Sequence, residues 1–385
     1  MSGLLYISNS RLPTEKAYGL QIGKMCEAFA AGGIEVTLLY PHRRGVIKEN
    51  IFEHYNLKKN FKLKKIYSPD FYWPGKLDKA AFLIKSFIAA MILCGYASVK
   101  RPDIIYSRDE LPVFILSFFR KNIFWEAHKF SGRRGYFYNR FRRAGIKIIC
   151  ISEGLASEFT ERGFEKKQVM VAHDGVDLEE FNTRLSAPEA RRKLNLPLEK
   201  KLIGYVGALT TMGAKKGLDE LFEAFSLLSD TSVRLVLVGS SVNPAEVVFY
   251  KDLAKKLDIA DRVIFAGQVA HKEVPAYLKA FDALAMPFPN TKHYATYMSP
   301  LKLFEYMASW RPIVATDLAS IKYILNESNS VLVKPDDAKS LANGLSHVLA
   351  NPAESGRLAA KAFEDVKKYT WANRARSILK FITVS

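Results

Sequence analysis

Residues 297–308, YMSPLKLFEYMA, place a lysine and a glutamate where a helix by itself gives little reason for them. Ser299 is a good N-cap and Pro300 a good first helical residue, so the spacing predicts a helix starting there. Lys302 then occupies the third helical position, where the partial positive charge of the helix N-terminus opposes a cation. Lys302 three residues before Glu305 is also the weaker order for an ion pair. A bound anion resolves the conflict, because free amides and a lysine together suit a diphosphate. The bland alternative is a lysine reaching out to solvent. Glu305 lies on a helix otherwise apolar through Leu303, Phe304, Met307 and Trp310. It could accept two hydroxyl hydrogen bonds, as a ribose diol requires, or be a salt-bridged surface residue.

A second candidate is residues 206–217, VGALTTMGAKKG, where a strand runs into a loop holding Gly207, Lys215 and Lys216 before a helix. The loop lacks the GxxxxGK[ST] pattern of a P-loop, and a solvated loop has the same composition. In the first half, WEAH ends a strand with His128, and PTEKAYG follows the first strand with Gly19, where a backbone can approach a phosphate closely. Two basic segments carry aromatics: residues 58–65, and residues 133–143 with Arg133, Arg134, Arg140, Arg142 and Arg143. They suit an anionic membrane interface or single-stranded nucleic acid. No nucleic-acid motif accompanies them, so the membrane is favoured and no nucleic-acid partner is expected.

Those residues need elements to hold them. Short β-branched runs predict strands at 4–7, 34–39, 103–106, 123–126, 147–151 and 169–172. After the polar, proline-containing stretch 182–201 they resume at 202–206, 234–238, 263–265, 283–286, 312–315 and 331–333. Ile22, Met25, Cys26 and Phe29 mark one helix face, and Leu218, Leu221, Phe222, Phe225 and Leu228 another. Strands interleaved with helices predict two doubly wound α/β domains, residues 1–182 and 183–366, with 367–385 a C-terminal helix packing back on the first. Ligands in such sheets bind beyond the carboxyl ends of the strands, so the chemistry is expected in an interdomain cleft. The 14 uncharged residues 86–99 are too few to span a bilayer and read as a buried core helix.

The chain has 385 residues, with 57 Lys+Arg against 39 Asp+Glu. Residues 1–150 hold 26 basic and 11 acidic side chains, so +15 of the net +18 lies there. That asymmetry implies an anionic partner for the first half. The amino terminus lacks a basic start followed by an apolar core, so no secretory signal is expected. Three cysteines without CxxC spacing fit buried thiols in a reducing cytosol and no zinc site.

Taken together the segments resemble the family 4 glycosyltransferases, retaining enzymes of the two-Rossmann GT-B fold. PTEKAYGLQIGKMCEAFAAGGIEVTLL, FWEAHKF, CISEGLASEF, VAHDGVDLEEF, GYVGALTTMGAKKGLDELFEAF, RVIFAGQV and SPLKLFEYMASWRPIVATD occur in the family's order. The resemblance implies that His128 lines the donor-sugar pocket, Lys216 contacts the diphosphate and Glu305 the ribose. It implies base binding at Gln268 and Val269, amides offered from Ser299 to Leu301, and Gly19 closing over the diphosphate. Two departures stand out: Tyr297 occupies the first place of the family's Glu-x7-Glu pair, and Ala208 the place of a frequent arginine. Lys215 is expected to supply that missing charge.

The implied reaction moves a sugar from a nucleoside-diphosphate sugar to a hydroxyl of a saccharide or lipid-linked acceptor, with retention, in surface polysaccharide or glycolipid biosynthesis. The expected setting is the cytoplasm, including the cytoplasmic face of a membrane, with no metal or other cofactor. The competing readings are a nucleotide-sugar epimerase, which needs further acid–base carboxylates, and a basic nucleic-acid-binding protein without enzymatic activity.

Overall fold

The computed structural model describes residues 3–45, 47–181, 183–211, 214–239, 241 and 243–383. They form two compact units, one of residues 1–174 with 371–385, the other of residues 175–370. The boundary therefore falls at 174/175 rather than 182/183; Asn182 itself lies outside the described residues. Packing explains the shift. Val176 and Phe181 already belong to the core of the second unit, with Ala190 and Leu196, and Val176 N–H donates to Tyr369 at 3.0 Å. The polar residues 183–201 are part of that unit. Ser186 and Glu189 form a reciprocal capping box that starts the Ala187–Lys193 helix.

In the first unit, β1 (Gly3–Ile7), β2 (Glu35–Pro41), β3 (Lys62–Ile66), β4 (Ile104–Ser107), β5 (Ile123–Ala127), β6 (Lys147–Cys150) and β7 (Val169–Val171) build a parallel sheet. Its order is β3-β2-β1-β4-β5-β6-β7. Ile22, Met25, Cys26 and Phe29 of the Ala17–Ala31 helix are fully buried. The Trp371–Thr383 helix packs against that helix, burying Trp371, Arg374, Ala375, Ile378 and Ile382 along one face.

The helix expected at 86–99 differs from its reading. It runs Asp78–Lys100 and buries only one face; Phe82, Leu83, Phe87, Met91 and Val99 are exposed. Absence of charge alone does not bury a helix: here one side lies in the core while the other, equally apolar, is exposed.

In the second unit, β8 (Leu202–Val206), β11 (Arg234–Val238), β12 (Val263–Gly267), β13 (Ala283–Met286), β14 (Ile313–Thr316) and β15 (Val331–Val333) form a parallel sheet. Their order is β12-β11-β8-β13-β14-β15, and β9 (Thr210–Thr211) pairs antiparallel with β10 (Ala214–Lys215) beside them. Leu218, Leu221, Phe222, Phe225 and Leu228 are buried as their spacing requires. Both units are Rossmann-like α/β layers.

Candidate active site

In the second unit β8 runs straight into Gly207, whose φ of +137° lies in the region that favours glycine. A Cβ there would lie 3.0 Å from Lys302 Nζ and 3.1 Å from its Cε, so the missing side chain makes room for the lysine. At the other end of the loop Gly217, φ +76°, starts the Leu218–Ser226 helix. A Cβ there would fall 1.5 Å from the Pro287 carbonyl oxygen. Met212 and Gly213 of this loop lie outside the described residues.

Lys302 is 8% exposed, and its Nζ makes no hydrogen bond among the described residues. It sits 3.7 Å from the centre of the Tyr205 ring and 5.3 Å from that of Phe288. Aromatic faces offset part of the desolvation cost of an ammonium but cannot replace an anion. Burial pushes the Lys302 pKa well below its ordinary value; Lys216 adds repulsion, while Glu305 opposes the shift. Lys216 is itself pushed down to about 8 by burial. Two under-neutralised cations thus share one end of the sheet with a glycine turn.

The helix bearing Lys302 begins one residue later than its sequence suggests. Pro300 has an extended ψ of 128° and is the N-cap, the helix running Leu301–Ala308. Ser299 is buried ahead of it, and Lys302 becomes the second helical residue. Lys215 behaves differently: its Nζ is exposed, pairs with Asp219 four residues on, and lies 5.2 Å from the centre of the Phe249 ring.

Glu305 is held by a residue that the sequence did not single out. His271 Nε2 is 3.1 Å from Glu305 Oε1, and its Nδ1 is 3.2 Å from Glu180 Oε1. Burial opposes charging this imidazole, but hydrogen bonds to the two carboxylates prevail and lift its pKa to about 9. At neutral pH His271 is therefore a cation donating through both nitrogens. Exposed Gln268 and half-buried Val269 follow β12, after Gly267 (φ +74°). Only Ala270 separates them from His271, so the base turn and the ribose carboxylate of the sequence reading are tied by one ring.

In the first unit, His128 follows the carboxyl end of β5. Its Nε2 is 2.5 Å from Oε1 of Glu126, a fully buried carboxylate. Gln21 Nε2 donates to the same oxygen at 2.5 Å, and the Tyr106 hydroxyl donates to Oε2. Arg374 of the C-terminal helix approaches both oxygens, at 3.2 and 3.3 Å. Burial disfavours the Glu126 carboxylate, but Arg374, His128 and Arg108 outweigh it and hold its pKa far below the usual range. Burial and Arg108 push His128 down to about 4 against the pull of Glu126. A neutral ring donating its Nε2 proton to a carboxylate presents Nδ1 as an acceptor.

The remaining candidates divide. Gly19 is buried in the Ala17–Ala31 helix, where a Cβ would lie 2.0 Å from the Tyr55 hydroxyl oxygen. That hydroxyl is hydrogen-bonded to both the N–H and the carbonyl of Thr14. Packing against Tyr55 and Thr14 requires a glycine at this position. Arg134 pairs with Glu110, and Arg140 holds the Ser117 hydroxyl and carbonyl, so both are structurally engaged. Arg133, Arg142 and Arg143 are exposed. Among the described residues no three His, Cys, Asp or Glu side chains converge as a metal site.

Comparison with known proteins agrees with this architecture. The chain is 28% identical over 244 residues to a D-inositol 3-phosphate glycosyltransferase of Corynebacterium urealyticum, covering 60% of this chain and 55% of the relative. A second, from Xylanimonas cellulosilytica, is 27% identical over 247 residues, covering 60% and 57%. The chain thus spans little more than half the length of these relatives. In fold it is similar to Anabaena Alr3699/HepE in complex with UDP, at TM-score 0.78, 16% identity and 100% coverage of both chains. It is also similar to WaaG, a glycosyltransferase involved in lipopolysaccharide biosynthesis, at TM-score 0.71, 15% identity and coverage of 99% and 100%. Residues 21–180 match the Glycosyltransferase Family 4 model and residues 200–351 the Glycosyl transferases group 1 model. With one model on each unit, and a parallel Rossmann-like sheet in each as the GT-B fold requires, the chain belongs to the group 1, family 4 glycosyltransferases.

Proposed function

We propose that the protein transfers a sugar from a nucleoside-diphosphate sugar to a hydroxyl of a saccharide or lipid-linked acceptor, with retention of configuration. The observation that carries this reading is Lys302, buried beside Gly207 with no hydrogen-bonding partner among the described residues and with Lys216 close enough to repel it. An isolated buried ammonium is costly, and a pyrophosphate is the anion that two lysines, a glycine turn and a helix start accommodate together.

In this reading the donor is a substrate and no metal or other cofactor takes part. Lys216, Lys302 and backbone groups at Ser299 and Leu301 take up charge as the diphosphate leaves. Each such donor contributes roughly 2 to 4 kcal/mol to the transition state. Glu305 receives the ribose hydroxyls, and the backbone at Gln268 and Val269 receives the base. His128 Nδ1 accepts a hydroxyl of the transferred sugar; with a pKa near 4 it is not a proton donor at neutral pH. The departing phosphate oxygen takes the acceptor proton on the face it leaves, which yields retention without a protein nucleophile. UDP is the first donor nucleotide to try, because Anabaena HepE holds UDP and UDP-glucose. Surface polysaccharide or glycolipid assembly is the proposed role, in the cytoplasm, where three buried free thiols are stable.

A thermal-shift screen of UDP, GDP and ADP with their sugars tests the reading. A cognate nucleotide at a hundred times its Kd stabilises the fold by about 2.7 kcal/mol. No shift with any of the three, at millimolar concentration, would end it. Proton NMR of the product's anomeric centre then checks retention.

A further inference from the structure

The Asp78–Lys100 helix is apolar on its outward side, where a helix at a protein–water surface is usually polar. Inward it buries Ala81, Ala89, Leu93 and Ala97. Outward, Leu83, Phe87, Met91, Gly95 and Val99 recur at every fourth position, a stripe about 24 Å long at 1.5 Å per residue. The four side chains larger than glycine are 67%, 52%, 48% and 80% exposed. The single charge in the helix between Lys79 and Lys100 is turned away from this stripe. Lys85 is buried, its Nζ 3.1 Å from Asp70 Oδ1 and 3.4 Å from the centre of the Tyr72 ring. That tether fixes the preceding loop, which presents exposed Tyr67, Tyr72, Trp73 and Leu77.

Charge surrounds the stripe. Residues 58–101 contain ten Lys or Arg and two Asp. Lys64 of β3 lies 5.9 Å from the centre of the Tyr96 ring, which sets the lysine-rich edge strand against this helix. Exposed Phe118 and Phe119 follow the neighbouring Glu110–Leu116 helix, with the Arg140 guanidinium 4.2 Å from the Phe118 ring centre. Tyr and Trp beside an apolar face, with cations around it, are the composition of a membrane interface. A second copy offering the same basic surround would be repelled. An acidic lipid surface is complementary to both the apolar stripe and the charge.

We propose that this face of the first unit docks on an anionic lipid bilayer, the 83–99 stripe lying in the plane of the headgroup–acyl boundary. The helix does not cross the bilayer, because its inward side belongs to the core of the unit. The basic residues bring the unit to the surface, and the apolar stripe holds it there.

The three native cysteines are buried, so Met91→Cys creates a selectively labelled thiol for an environment-sensitive fluorophore. Flotation with vesicles of phosphatidylcholine, alone or mixed with phosphatidylglycerol, supplies the second readout. The expected result is a blue shift and flotation with the anionic vesicles, weakened by salt. Leu83→Ser with Phe87→Ser should partition more weakly by about tenfold or more, with unchanged Tm and an unchanged nucleotide-induced thermal shift. Three results would overturn the proposal: no partitioning of the wild type, partitioning without a blue shift, or a blue shift without vesicles that tracks a dimer mass in light scattering. None of them bears on nucleotide binding, which the thermal shift reads independently.

Discussion

Donor binding should draw protons from solution, and the amount follows from the two depressed lysines. Lys216 has a pKa of about 8 through burial. A group of that pKa is about half deprotonated at pH 8 and about one-tenth deprotonated at pH 7. A pyrophosphate against Nζ favours the ammonium and restores its ordinary pKa, so Lys216 alone takes up about half a proton per donor at pH 8 and about a tenth at pH 7. Lys302, depressed by burial and by Lys216, adds to both figures. An intact nucleotide sugar is the right ligand, since its pyrophosphate has no secondary ionisation in this range. Isothermal titration in buffers of different ionisation enthalpy gives the uptake as a slope. Staying at or below pH 8 keeps His271, with its pKa of about 9, at least about nine-tenths charged. Uptake should rise with pH and should shrink in Lys216→Met. Zero uptake at pH 8 in the wild type, or the same uptake in Lys216→Met, would refute the reasoning.

Replacing Lys302 with Met should raise the Tm of the ligand-free protein by a few degrees, by removing a buried amine that finds no hydrogen bond among the described residues, and abolish nucleotide-dependent stabilisation; differential scanning fluorimetry reads both. His271 has its pKa raised from 6.5 to about 9 in the folded state, so its stabilisation is complete below pH 6.5 and is lost as pH rises through 9. That contribution is on the order of 3 kcal/mol, and urea titrations across this range should show a flatter pH dependence in His271→Gln. Arg374→Met strands the buried Glu126 carboxylate and should cost about 3 to 5 kcal/mol. Adding Glu126→Gln should recover part of that loss, again by urea titration.

The parallel strands were legible because they are buried runs of Val, Ile and Leu. β3 was not: its sequence, KLKKI, is an edge strand with one neighbour, mostly outward-facing, and lysine is what such an edge tolerates. The candidate anion site was legible at Lys302 because a lysine in the first turn of an apolar helix violates a local rule, and its Nζ finds no hydrogen-bond partner among the described residues. His271 gave no such signal, since a single histidine in a surface-like HKE turn is ordinary until Glu180 and Glu305 are seen on either side. Arg374 did leave a trace. It falls on the same helical face as Trp371, Ala375, Ile378 and Ile382, and an arginine there demands a buried carboxylate. Which carboxylate it meets is set by contacts some 250 residues apart, beyond the reach of local pattern.

The return of the chain to its first unit sets an order of assembly. Residues 175–370 are continuous and hold everything their own core needs as soon as they leave the ribosome. The amino-terminal unit, although made first, must wait for the Trp371–Thr383 helix before Arg374 can neutralise Glu126. A chain cut between residues 370 and 371 would carry a finished second unit and an amino-terminal unit still open around an unmatched charge, and so exposed to proteases in the portion synthesised earliest.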